Sequence, residues 1–182
     1  MKTTDLSKFN NDWYQPGGRI KRALWFLVNA CIMQSKWIPF SGVKVTLLIL
    51  FGAEIGDNVV IKPNVNIKYP WKLTIGDNTW IGERVWIDNL GEVKIGKNVC
   101  LSQGAMLLCG NHNYKKVAFD LIVGKITLED GVWIGAHSIV CPGVKCKSHA
   151  LLAVNSVATA NLEPYSIYQG NPAVKVRERV VN

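Results

Sequence analysis

An aliphatic residue returns at every sixth position through more than half of this chain, and that period constrains the fold more than any other feature. The series runs Ile55, Ile61, Ile67, then Ile75, Ile81, Ile87, then Ile95, Leu101, Leu107, and after a gap Leu128, Ile134, Val140, Cys146, Leu152. Six is neither the helical 3.6 nor the alternation of two that marks a half-buried strand. It fits a parallel β-helix in which each hexapeptide is a short strand plus a corner and three strands close a triangular coil. The sixth-position aliphatic points inward and stacks on its equivalent about 4.8 Å away in the next coil. Val59, Val65, Thr79, Val85 and Val99, four positions later, also face the lumen. Gly and Asn recur just after the aliphatic, where tight corners need positive φ. The restarts at 55, 75 and 95 are twenty apart, which predicts two extra residues at one corner. Tyr69-Pro70-Trp71 and Asn89-Leu90-Gly91 are then bulged corners on one edge of the prism. Periodicity is silent on the hand, and general crossover rules favour a right-handed one.

The 182 residues suit one repeat domain with attachments: an arm and helical cap over 1–52, a β-helix over 53–163 with a projecting loop at 108–127, and a tail over 164–182. The net charge of +8 points to anionic partners, and no nucleic-acid-binding motif accompanies it. Five cysteines without a CxxC pair read as structural thiols of a reduced, cytoplasmic protein. Met1 to Asp12 is too polar for a signal peptide. Arg19 to Ile38 reads as helix and Val43 to Phe51 as a second apolar run, neither reaching the roughly 20 apolar residues of a spanning helix. In residues 1–50, seven cations (2, 8, 19, 21, 22, 36, 44) face Asp5 and Asp12, a net of +5. Two roles fit this segment: a cap over the open end of the β-helix, or a peripheral contact with an anionic bilayer through Trp25, Phe26 and Trp37.

The repeat breaks once, between Leu107 and Leu128, at Leu108-Cys109-Gly110-Asn111-His112-Asn113-Tyr114-Lys115-Lys116. A packed solenoid has no interior room for a loop, so this one projects and carries His112 beside a rigid prism. An imidazole with an ordinary pKa near 6.5 suits a general base; the plain alternative is a polar loop residue. His137 and His149 lack such a setting and read as surface residues. Trp80, Trp86 and Trp133 each precede a lumen aliphatic and therefore point outward, toward a sugar or, in the favoured reading, a neighbouring subunit.

With the Gly-Asn-His loop, Trp13-Tyr14, Arg22-Ala23-Leu24-Trp25, Ile67-Lys68-Tyr69-Pro70-Trp71 and the terminal Gly170-Asn171-Pro172-Ala173 in place, the whole chain resembles the hexapeptide-repeat O-acetyltransferases. The likeness is strongest to the colanic-acid-biosynthesis type. The resemblance implies a left-handed coil, a homotrimer and acetyl-CoA as co-substrate, with no metal required. It makes His112 the general base that lets a sugar hydroxyl attack the thioester, a role worth about 10²–10⁴ in rate. It places Trp133 near the catalytic loop and Asp88 and Asn89 at the acceptor. Ala136, Val154, Thr159 and Ala160 fall along the pantetheine arm, and Pro172 and Arg177 toward the adenine. Ala160 and Val174 stand where the family often carries cations, which leaves the phosphates to Lys175 and Arg177. The competing functions are a silent scaffold solenoid, an acyltransferase with a non-sugar acceptor, and a zinc carbonic anhydrase. The last needs three clustered histidines, whereas His112, His137 and His149 are 25 and 12 residues apart.

Overall fold

The computed structural model describes residues 3–181; Lys2, one of the cations counted above, lies outside them. The coils form a left-handed parallel β-helix. Its first face stacks Glu54–Ile55, Leu73–Ile75, Val93–Ile95, Ile126–Leu128 and Lys145–Cys146. The second stacks Val60–Ile61, Trp80–Ile81, Cys100–Leu101, Trp133–Ile134, Leu151–Leu152 and Ser166–Gly170, and the third Asn66–Ile67, Trp86–Asp88, Met106–Leu108, Ile139–Val140 and Val157–Ala158. The register puts like on like: Ile61 pairs with Ile81, Ile81 with Leu101, Leu101 with Ile134, and Ile134 with Leu152. Every sixth-position aliphatic from Ile61 onward is buried, as are Val59, Val65, Thr79, Val85 and Val99. That column of methyl groups is the core. Within the 164–182 tail, Ala173–Glu178 doubles back and pairs antiparallel with Ser166–Gly170.

The three faces differ in what they show outward. The outward ladder of the first face is Glu54, Thr74, Lys94, Thr127, Lys145. That of the second is Val60, Trp80, Cys100, Trp133, Leu151, Ile167, and that of the third is Asn66, Trp86, Met106, Ile139, Val157. One face is dressed for water and two are apolar.

Two corners are built on columns of residues with positive φ. Asn58, Asn78, Asn98, Gly131 and His149 form one, and Asn64, Arg84, Gly104, His137 and Asn155 the other. The N–H of each from the second coil on donates to a carbonyl of the coil below, for example His137 to Gln103 O at 2.9 Å and His149 to Asp130 O at 2.9 Å. His137 and His149 are therefore corner residues of the solenoid. At the bulged third corner Asn89 accepts from Tyr69 N–H at 2.9 Å and donates back to Tyr69 O, so successive bulges are stapled together.

Two helices close the N-terminal end. Helix α1 (Arg19–Val28) runs into one wider turn, Asn29–Met33, and α2 spans Ser41–Leu50. Helix was expected to Ile38 but ends at Met33. The Met33 and Ser35 carbonyls are drawn off to accept from Val65 and Asn64 N–H of the first coil, and Pro39 disfavours helix at Ile38. The unpaired edge of that coil is satisfied by side chains. Trp25 Nε1 donates to Ile67 O at 2.8 Å, Ile67 N–H donates to Asn29 Oδ1, and Lys44 Nζ donates to Ile61 O and to Lys62 O at 2.8 Å. Lys44 is fully buried, and burial pulls its ammonium below the usual lysine range. Among the described residues no helix is long and apolar enough to cross a membrane.

Candidate active site

The insertion leaves the third coil after Met106–Leu108 and folds as a hairpin, Gly110–His112 against Leu121–Val123, with His112 opposite Leu121. Gly110 passes so close to the prism that a Cβ there would overlap the Leu90 side chain. The His112 ring lies parallel to Phe119, centroids 4.4 Å apart at 7°, with Phe9 at 5.7 Å. His112 Nδ1 is 2.9 Å from Phe119 O. A carbonyl can only accept, so Nδ1 is a protonated nitrogen, and in the neutral ring Nε2 carries the lone pair. The hairpin holds Phe119 in the left-handed region at φ +53, a conformation that costs an L-residue about 1–2 kcal/mol. It is pinned by Phe119 N–H to Lys116 O, Asn113 N–H to Asp120 O at 2.8 Å, and the Lys116–Asp120 ion pair at 2.9 Å.

The N-terminal arm straps this hairpin. Asp5 N–H donates to Val117 O at 2.9 Å, and Tyr14 OH donates to Leu90 O at 2.8 Å. Lys72 Nζ reaches both Tyr14 OH (3.1 Å) and Leu90 O (2.7 Å). Burial pushes the Tyr14 phenol well above its ordinary range, which keeps it a neutral donor.

Beside His112 lies a depression of about 270 Å³ lined by Phe9, Tyr14, Arg22, Lys68, Tyr69 and Leu121, among others. Through Arg22, Lys68 and Tyr69 it continues into a second of about 500 Å³ that adds Asn66, Trp86 and Asp88. Asp88 Oδ1 is buried, 3.0 Å from Lys68 Nζ but outside hydrogen-bond geometry, and Arg22 Nε is buried with no partner. Asp88 thus lines this depression with a buried carboxylate oxygen that has no hydrogen-bond partner. Asn89 does not: it is fully buried and its amide is spent on the Tyr69 backbone, which corrects its assignment to the acceptor. Another depression, about 560 Å³ between Trp13, Trp71 and Lys94, holds none of the candidate residues.

The cofactor candidates divide. Trp133, Ala136, Val154 and Arg177 share a groove of about 490 Å³ on the second face with Ser102, Gly135 and Val176. Trp133 Nε1 donates to Ser102 Oγ at 2.9 Å, fixing the indole. Thr159 and Ala160 are exposed at the next corner and Pro172 at the terminal turn, outside that groove. Lys175 turns to Glu178, 2.6 Å away, which raises its pKa. The hairpin projects from the edge between the third and first faces, and in a three-sided prism that edge is opposite the second face. One chain therefore does not bring His112 and the Trp133 groove together. Nor does it gather the histidines: among the described residues no three potential metal ligands cluster.

Sequence reading missed Phe9, Phe119, Arg22 and Lys68. Only Arg22 and Lys68 had a signal, inside the motifs quoted above; a carbonyl that orients an imidazole leaves no mark on residue type.

No family model matches the chain. It is 38% identical over 179 residues, 97% of both chains, to a protein of Escherichia coli (strain K12) provisionally named colanic acid biosynthesis acetyltransferase WcaF. It is 27% identical over 129 residues, 69% of this chain and 64% of the other, to the galactoside O-acetyltransferase of the same strain. In fold it matches a hexapeptide-repeat acetyltransferase from Vibrio cholerae at TM-score 0.80 and 23% identity, over 89% of this chain and 92% of that one; that protein has also been solved with acetyl coenzyme A. The chain belongs to the hexapeptide-repeat acetyltransferases. Within them its likeness runs nearly end to end with the colanic acid biosynthesis type.

Proposed function

We propose that this protein is an acetyl-CoA-dependent O-acetyltransferase acting on a sugar hydroxyl in exopolysaccharide or lipid-linked glycan assembly, with His112 as general base. The observation that carries the proposal is the Nδ1–H to Phe119 O bond, which leaves Nε2 free to accept. Nε2 takes the proton of the acceptor hydroxyl as its oxygen attacks the thioester carbonyl carbon. Collapse of the tetrahedral adduct breaks the C–S bond, and the imidazolium returns the proton to the departing thiolate. Asp88, Lys68 and Arg22 hold the acceptor. Ala136, Val154 and Arg177 hold the coenzyme against the Trp133 groove, with Thr159, Ala160, Pro172 and Lys175 as its outer contacts. The chain's own groups supply the base and the positioning, so no metal enters the scheme.

The working form is a homotrimer with sites between copies. Two observations support it: the hairpin and the groove lie on opposite sides of one prism, and two of three outward ladders are apolar. A cyclic trimer gives each subunit two neighbours and so covers both. The free cysteines and a nucleotide co-substrate fit a cytoplasmic setting. The test is transfer of radiolabelled acetyl from acetyl-CoA to a panel of free, nucleotide-linked and lipid-linked sugars, with light scattering of the same sample. Acetylated sugar and a trimeric mass are expected; acetylation of non-sugar acceptors alone, no transfer at all, or a fully active monomer would each overturn its part of the proposal.

A further inference from the structure

The two cap helices carry apolar residues on both sides. On α1 and the turn that extends it, the face on the prism carries Arg22, Trp25, Asn29 and Met33. Ile20, Ala23, Leu24, Leu27 and Cys31 share the opposite face at helical spacing and stand in solvent. On α2 the prism side takes Lys44 and Leu48, while Val43, Ile49 and Leu50 face out. Trp37 and Phe40 extend the surface between the helices. Ile20 is 78% exposed, Leu50 73% and Trp37 92%.

The polar residues of the inner side have a physical cause. The open edge of the first coil presents bare backbone groups, and Asn29, Lys44 and Trp25 are turned inward to satisfy them. That requirement does not explain an apolar outer side, where polar residues would serve solubility better. Charge says what covers it. Between Asp12 and Glu54 there is no acidic residue; of the five cations there, Arg22 and Lys44 face the prism and Lys21 Nζ stands over the Trp71 ring at 4.8 Å, which leaves Arg19 and Lys36 exposed at the rim. An apolar plane with Trp and Phe, edged by cations and free of acids, is the composition of a segment that lies in a bilayer interface.

We infer that the cap docks the enzyme on an anionic lipid bilayer, its outer helix faces in the interface and the prism standing away from the membrane. Phe26, on the flank of this plane, also lines the acceptor cleft with Arg22 and Asp88, so the cleft opens beside the lipid surface. The inference does not rest on the catalytic assignment, and its readout contains no acetyl transfer.

The test is flotation of the full chain with vesicles of phosphatidylglycerol and phosphatidylethanolamine, against vesicles of phosphatidylcholine, at low and high salt. Binding to the anionic vesicles that weakens with salt is expected. The pair Leu24→Glu/Leu27→Glu and the single Leu50→Glu, all at exposed positions, should each lower vesicle partitioning at least about ten-fold with unchanged melting. If the pair fails to fold, Leu50→Glu and Trp37→Ser carry the test alone. Arg19→Glu with Lys36→Glu should reduce binding to anionic vesicles and leave the neutral ones unchanged. Absence of wild-type binding to anionic vesicles at low salt overturns the inference. So does a change of mass by lipid-free light scattering in Leu24→Glu/Leu27→Glu, which would make this face a contact between copies.

Discussion

The coils and the hairpin that interrupts them are made by opposite rules. In the coils every contact is repeated: Ile134 stands on Leu101 and under Leu152, and each corner column hands its hydrogen bond on to the next turn. In the hairpin each contact occurs once, and the bond that orients His112 depends on one carbonyl of one residue held at positive φ. Repetition gives stiffness and spreads the loss when one residue changes. A unique contact gives chemistry and has no second copy. Stability and activity should therefore separate cleanly between the two regions.

The largest separation is expected at His112. His112→Asn or His112→Ala should lower kcat at least about 10²-fold, with little change in acetyl-CoA affinity and an unchanged melting temperature, because the ring is half-exposed and outside the core. Steady-state kinetics beside thermal melting checks this; near-normal turnover of the folded variant removes His112 from the mechanism.

The converse belongs to the lumen. Ile134 is fully buried, and Ile134→Ala should cost about 2–4 kcal/mol from lost burial and the cavity left behind. The variant that remains folded should turn over near the wild-type rate. Urea unfolding followed by kinetics below the transition reads both, and a large kcat loss without a stability loss would break the comparison.

Phe119 sharpens it from within the hairpin. Phe119→Gly keeps the carbonyl that receives Nδ1–H and relieves the positive φ, but removes the ring stacked on His112. A fall in kcat of less than about ten-fold is expected, since stacking contributes about 0.5–1.5 kcal/mol. A fall as deep as that of His112→Ala would mean that the ring, not the carbonyl, holds the imidazole.

The same contrast explains what the sequence disclosed. The lumen was legible because the six-residue beat is repeated, and Asn58, Asn78 and Asn98 announced a corner column because asparagine tolerates the left-handed region. His112 was legible as a residue, from its place in the one insertion, whereas Phe9 and Phe119 were not: their roles come from an arm that crosses the hairpin and from a backbone oxygen. Helix α1 was read too far because Met33 and Ser35 give their carbonyls to a strand edge, a tertiary demand that no local pattern encodes. Asn89 was assigned to the acceptor because its type suits sugar binding, and burial with a paired amide decides otherwise.

The smallest effect is predicted at His137, where residue type and location point in different directions. A histidine invites a catalytic or metal role, yet this one stands at φ +55 in the column of Asn64, Arg84, Gly104 and Asn155, its N–H on Gln103 O at 2.9 Å. The position asks for a residue that accepts the left-handed region, and asparagine already fills the column one coil onward at Asn155. His137→Asn should therefore keep the corner bond and change stability by no more than about 0.5 kcal/mol, with turnover within a few-fold of wild type. The ring packs over Gly104, where a Cβ would meet it, so the cost of losing that contact is offset by the better fit of asparagine to the backbone. Kinetics and melting of the purified variant decide it. A collapse of activity with the fold intact would move His137 out of the scaffold and into the chemistry, and the line drawn between coils and hairpin would fall with it.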